Sequence, residues 1–450
     1  MKLPIIQGTG QRQATMSEDD ILINCYAEQL SDGRYAAIKR KGVEGYSNPG
    51  TPGVCRGMWY WNGQLVSVFG SKLFHNAYEI GTNAIAGSGP CWAAAYGTST
   101  KYLAISNGTN GYQLDTSWSL TSVSGGAYQA HVHGLVHIDG YLCTLSANGV
   151  LAHSAIRDFT SWSSTDTVNA EAYSDGGVAL ARTMNYILAI GTNTIEPFYD
   201  AANVNASAFT AVTGGLITIG CANARTLASI KEMPIFVSDG GAVYLIAEMK
   251  PERISARWPA IERIITGATL TDAFAMTFEY AGHSFYVLTL PTTNVTLAYD
   301  LTTQRWFQIQ DPSGNYWPYV NAVQNGMSVY FQNADGKIYT LSGWQDNGAN
   351  FTVKARTPWV DFGTGRIKLL PRVEVFSDLA AGDISLRYSK DDFANWSTAR
   401  TASLSGSAVM RNFGAFKRIA LELSHTHNEE LRLIEVELDV VGSPGAAGAG

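Results

Sequence analysis

Three histidines stand close together in HVHGLVHID: His131, His133 and His137, with Asp139 two residues further on. In an unbroken strand these four would share one face, because side chains alternate between the two sides. Imidazole and carboxylate donors together suit zinc, copper, iron or nickel. Gly134 and Gly140 interrupt the run, however, and no glutamate stands nearby to act as a base. The simpler reading is a strand with partly buried, hydrogen-bonded histidines, and no metal ligand is assigned. His425 and His427, in HTH, are a weaker version of the same pattern.

Two short segments resemble one another: RDFTSW at 157–162 and DDFANW at 391–396. The second lies within SKDDFANW, close to the Asp-box pattern S-x-D-x-G-x-x-W of sialidases, with Phe393 in place of its glycine. Asp-boxes are turn elements, in which the Asp accepts backbone N–H bonds and the Trp packs beneath. A glycosidase needs two carboxylates on converging elements. Glu171, Asp175, Glu196, Asp200 and Glu248 are available, but their spacing forms no recognisable constellation. No GxSxG, HExxH or P-loop motif occurs. Sequons at Asn107, Asn205, Asn294, Asn350 and Asn395 are what chance supplies in a Ser/Thr-rich chain. No catalytic, cofactor-binding or metal-binding residue is therefore assigned.

The five cysteines (Cys25, Cys55, Cys91, Cys143, Cys221) are odd in number and form no CxxC pair. They read as reduced, mostly buried thiols of a protein folded in a reducing cytoplasm. The first residues lack the apolar core of a signal peptide, and no apolar stretch is long enough for a transmembrane helix.

The elements that must carry these residues follow from a repeat. A short apolar run, a turn and a second apolar run recur at 63–75, 101–114, 140–154, 185–199, 233–246, 283–300 and 326–341. Each reads as a β-hairpin. The turns centre on Gly70, Gly108, Gly149, Gly191, Gly240, Thr292 and Gly336, a period of roughly 40–45 residues, which suits a four-stranded propeller blade. Packing blades around an axis buries both faces of each sheet and leaves only short edges. The chain of 450 residues is thus predicted to be all-β: a β-propeller of six or seven blades, seven preferred, over residues 51–345. Residues 1–50 read as an N-terminal arm with the first strand or strands.

A helical insertion is expected near 252–276. Ile254, Trp258, Ile261, Ile264 and Ile265 recur at helical spacing and Pro259 marks the start. A second short helix is expected over 271–276. The insertion could serve as a plug, a brace or an interface element. Residues 350–441 carry strand signals without the hairpin repeat and read as a separate small β-sandwich. The Gly/Ala-rich tail, 442–450, is expected to be disordered.

With the repeat and its interruptions in hand, a family resemblance becomes visible. LINCYAEQLSDGRYAAIKRKGVEGYSNPGT (22–51), GTNTIEPFYD (191–200) and ISARWPAIERI (254–264) followed by TLTDAFA resemble the packaged-DNA stabilisation proteins of short-tailed phages. These form the tail hub or nozzle. The resemblance implies a β-propeller that assembles as a homo-hexameric ring below the portal and its adaptor. It implies a protein that closes the head after packaging and binds the tail needle and the tailspikes or tail fibres. It implies a structural role in the virion tail, assembled in the host cytoplasm, without enzymatic activity. The composition agrees with that role. With 31 Lys+Arg against 38 Asp+Glu, the net charge is −7 and charged residues make up only 15%. Such a surface lets dsDNA slide without sequence-specific binding, because few phosphate counterions are released on contact. Two other classes stay open on the residues alone: a propeller glycosidase or depolymerase, motivated by the near-Asp-box, and a non-catalytic glycan-binding propeller.

Overall fold

The computed structural model describes residues 2–3, 21–49, 53–82, 84–97, 100–123, 127–170, 172–173, 175–203, 206–378 and 381–442. Glu171, Asn205 and the tail beyond Gly442 lie outside the described residues.

Seven four-stranded antiparallel units succeed one another around an axis. The first blade comprises Cys55–Trp61, Gln64–Phe69, Lys72–His75 and Tyr78–Ile80. Five more follow over residues 92–122, 136–169, 177–211, 228–253 and 274–309. The seventh takes three strands from 319–341, and its fourth is Val43–Ser47 from near the start of the chain, antiparallel to Ile338–Leu341. The circle is therefore closed by an early strand laid against a late one.

All seven hairpins legible in the sequence supply the two middle strands of a blade. The reason is burial. A middle strand is covered by neighbouring blades on both faces and reads as an apolar run, as in His283–Leu290, where every residue is buried. An outermost strand such as Lys250–Arg253 is wholly exposed and carries no such signal. Separate apolar clusters seal the first blade to the second, the second to the third, and so on to the fifth with the sixth. The last joint packs Phe69 and Phe74 of the first blade against Tyr330 and Ile338 of the seventh.

The helix occupies Pro259–Thr266. Its buried Ile261 and Ile265, with Trp258, enter the cluster shared by blades five and six, so the insertion is a brace. The expected second helix over 271–276 is not one. Strand Phe274–Tyr280 begins there, and Phe274, Met276 and Phe278 bury alternate side chains with a period of two.

The C-terminal region is a two-sheet sandwich, but not a separate one. One sheet orders Cys25–Gln29, Tyr35–Lys39, Arg432–Gly442, Lys368–Asp378 and Ala408–Arg411. The other orders Ile21–Ile23, Val353–Arg356, Ala420–His425, Asp383–Ser389 and Arg400–Ser403. The early strands within residues 21–39 thus pair into the two sheets of the sandwich. Ile23 also pairs, in parallel, with Gln308 on the outer strand of blade six, making sandwich and blade one continuous sheet.

Arg40 locks this junction. All five of its N–H groups are used. Nε donates to Asn24 Oδ1 at 2.9 Å, and Nη1 to the Lys41 carbonyl at 2.9 Å and Asp346 Oδ1 at 2.8 Å. Nη2 donates to the Gln310 carbonyl at 3.0 Å and Asp346 Oδ2 at 2.6 Å. The guanidinium lies 3.8 Å from the centre of the Phe351 ring. Beside it, buried Lys39 donates to the His427 carbonyl at 2.5 Å.

Candidate functional site

The innermost strand of each blade runs along the axis, and together they enclose a cavity of about 490 Å³. Seven strands converging on one line leave little room for side chains. Each blade places a glycine or alanine in the wall: Gly57, Ala93, Gly134, Ala181, Ala228, Ala275 and Ala322. The last five fall at an even spacing of 47 residues (134, 181, 228, 275, 322). Gly134 is the tightest of them. Its φ is +112°, and a Cβ there would overlap the Leu180 carbonyl. Beside these small residues stand Trp92, His133, Leu180, Phe274 and Asn321.

Three arginines, and no Asp or Glu among the described residues, line the cavity. Arg56 is buried and its guanidinium is consumed by the carbonyls of Gly70, Ile85, Ala86 and Gly89. Arg182 is drawn away, donating to the carbonyls of Met184 and His137 and pairing with Glu232 at 3.4 Å. Arg225 differs. Its carbon sits 5.5 Å from the centre of the Phe274 ring. Its guanidinium makes no hydrogen bond among the described residues, and Asp272 is the carboxylate whose charge acts on it. Burial pulls its pKa below the usual arginine value. His133 packs edge-on to Trp92 with ring centres 5.1 Å apart. Its Nδ1 is sealed from solvent and makes no hydrogen bond. Burial, then the charge of Arg225, pushes its pKa down to about 4.

At the other end of the same inner strands lies a second, aromatic cavity of about 590 Å³. Tyr60, Trp61, Tyr96, Lys101 and His137 are among its walls.

The histidines singled out from the sequence do not converge. His131 Nδ1 donates to the Val132 carbonyl at 2.7 Å, and its Nε2 meets Ser106 Oγ at 2.5 Å and Tyr128 O–H at 3.2 Å. Burial pushes its pKa down to about 4 as well. His133 faces the axial cavity and His137 the second one, while Asp139 sits in a turn with φ of 50°. His425 bonds the Ala381 carbonyl, and His427 accepts from the Asp383 N–H at 3.2 Å. Among the described residues no three His, Cys, Asp or Glu side chains gather as a metal site requires.

Of the two Asp-box-like segments, the second is a turn element, whereas the first leaves a turn at Arg157 and runs into the strand Asp158–Asn169 of blade three. Asp158 accepts from Thr160 N–H and O–H, and Trp162 donates to the Phe159 carbonyl at 2.7 Å. Asp391 accepts from the Asn395 N–H at 3.0 Å, and Phe393 adopts a φ of 66° where the sialidase pattern has glycine. The candidate acids are also local. Asp175 accepts from Asn193 and Thr194 N–H, Glu196 from Ala172 N–H and Asp200 from Ala202 N–H, while Glu248 sits in a turn. The five cysteines are all buried free thiols; burial raises Cys55 to about 12 and Cys91 and Cys221 to about 11.

Sequence reasoning missed the ring of small residues and the unpaired Arg225. The even 47-residue spacing was the signal available for the first. Nothing local marks Arg225, because what matters is the hydrogen-bond partner it lacks.

The fold and axis define a seven-bladed β-propeller. Residues 1–344 match the family described as Bacteriophage P22 Gp10, beta-propeller, and the chain belongs to this family of phage packaged-DNA stabilisation, or tail hub, proteins. It is a structural component of the phage virion. No curated protein sequence matches the chain. Among solved structures it is similar to a streptogramin B lyase (11% identity, 67% of this chain and 98% of that one, TM-score 0.46). It is also similar to virginiamycin B lyase from Staphylococcus aureus (8%, 66% and 98%, 0.42) and to BamB from Moraxella catarrhalis (14%, 70% and 95%, 0.40). At such low similarity nothing those proteins do transfers to this chain. No described helix is long and apolar enough to cross a membrane.

Proposed function

We propose that copies of this chain form a closed ring, six in number, below the portal and its adaptor. The ring closes the filled head, retains packaged dsDNA, conducts it at ejection, and holds the tail needle and the tailspikes or tail fibres. Membership of the stabilisation family over residues 1–344 carries this reading. The axial cavity adds a constraint. At about 490 Å³ it is far too small for a duplex whose major groove alone is roughly 12 Å wide and 8.5 Å deep. The path for DNA therefore runs between copies, through the lumen of the ring, and not through a propeller. A net charge of −7 suits a lumen that surrounds DNA without gripping it. The protein acts without catalysis in this scheme.

The test is the mass and symmetry of the protein mixed with its adaptor. A particle holding six copies, about 290 kDa from six chains of 48.5 kDa, ringed around one axis is expected. A stable monomer that never joins the head–tail assembly would refute the proposal.

A further inference from the structure

We propose that the axial cavity of the propeller is a binding site for a small free oxyanion, a phosphate or a carboxylate, gripped by Arg225 with His133 beside it. The volume of about 490 Å³ lies within the range of roughly 300–1,000 Å³ typical of small-molecule sites. The ring of glycines and alanines keeps that volume open where larger side chains would fill it.

The charge pattern selects the ligand. In a chain with a net charge of −7, the cavity wall holds Arg56, Arg182 and Arg225 and no carboxylate among the described residues. Two of these are satisfied: Arg56 by four carbonyls and Arg182 by two carbonyls and Glu232. Arg225 makes no hydrogen bond through its guanidinium among the described residues; it is partly withdrawn from water, and Asp272, outside the cavity wall, is the carboxylate whose charge reaches it. A partly buried cation without a hydrogen-bonded partner is costly, and two oxygens of a carboxylate or phosphate match its forked donors. His133 also lines the cavity, but its Nδ1 is shielded from solvent and unbonded, so the ring senses the charge in the site without touching the ligand through that nitrogen. The apolar sides of Trp92, Leu180 and Phe274 lower the local dielectric and strengthen the Arg225 contact.

The titratable or charged groups around His133 are Arg225, Arg56, Arg182, His131, Cys55 and Cys91. An anion beside Arg225 offsets the cationic field on His133, so its pKa rises from about 4 when the site fills.

Inorganic phosphate and, separately, acetate are titrated into the full-length protein by calorimetry, with His133 followed by NMR. Saturable binding of either probe is expected, with an upward shift of the His133 pKa. Arg225→Gln weakens binding about 10–100-fold, the usual worth of a hydrogen bond to a charged group. Arg225→Lys, which keeps the charge, retains part of it. Arg366→Gln, at an exposed arginine of the sandwich, leaves it unchanged. Should Arg225→Gln fail to fold, the His133 shift in the wild-type protein decides the matter alone. Absence of saturable binding to both probes overturns the proposal. So does binding that Arg225→Gln leaves intact, or binding that does not move His133.

Discussion

Asp346→Ala tests the junction between propeller and sandwich directly. Asp346 accepts two of the five N–H groups of Arg40 and is its only carboxylate partner among the described residues. Both side chains are below a tenth exposed. Removing the carboxylate leaves a buried guanidinium with two idle donors and an unbalanced charge. Breaking a buried pair in this way costs about 3–5 kcal/mol. For 450 residues melting together, an unfolding entropy of ~2.1 cal/mol/K per residue makes each kcal/mol worth about 1 °C, so Tm falls by about 3–5 °C. Arg40→Met strands the carboxylate and should lose a similar amount. The pair Arg40→Met with Asp346→Ala removes both charges, and should therefore lose much less than the two single losses added together. Differential scanning calorimetry on the four proteins, at one ionic strength, reads the cycle. Singles that lose less than about 1 °C, or a double that loses the full sum, would refute the view that this ion pair locks the junction.

Four further outcomes are expected. Gly134→Ala forces a Cβ into the Leu180 carbonyl at a positive φ and should destabilise by more than ~1 kcal/mol in urea unfolding; Gly89→Ala, in open space with an ordinary φ, should be near neutral. His131 and His133, neutral in the native state down to about pH 4, ionise near 6.5 once unfolded. The unfolded chain thus binds more protons between those values. Stability is full above pH 6.5 and falls as pH drops towards 4, by on the order of 3 kcal/mol for each histidine, as pH-dependent unfolding will show. Burial, then the neighbouring Arg40, lowers the Lys39 ammonium to about 8, so its cost to the native state is greatest below that pH and relieved as pH climbs towards 10. Lys39→Met should therefore gain Tm at pH 7, and lose that advantage by pH 10. The five thiols should resist a disulfide reagent in native protein and all react in denaturant, as a thiol count would record.

How far the fold was legible in the sequence follows from where burial leaves a local trace. Middle strands such as Tyr186–Gly191 are apolar because both faces are covered, and their turns carry glycine, so the hairpins and their period stood out. The helix at Pro259 had a start signal and three correctly spaced isoleucines. Residues 271–276 misled because Ala273, Phe274 and Met276 are neighbours in sequence, whereas their alternation emerges only through Phe278. The early strands could not be placed at all, since their partners are remote: Asn24 Nδ2 donates to the Thr352 carbonyl and Tyr339 opposes Gly45. At the axis, histidines were visible as chemistry but scattered by the blades. The residue that distinguishes the cavity, Arg225, was silent because a missing partner has no spelling.

The strand that closes the seventh blade has a consequence in time. Val43–Ser47 leaves the ribosome early, yet its partner Ile338–Leu341 is made some three hundred residues later. At ~5–20 residues per second that is a wait of roughly 15–60 s. Tyr35–Lys39 waits longer still, for Arg432–Gly442. Until then the nascent propeller is an open fan with a bare edge at each side, the state most exposed to pairing with a neighbour. Strands made early are thus seated late, and the seventh blade closes only once Ile338–Leu341 has been made.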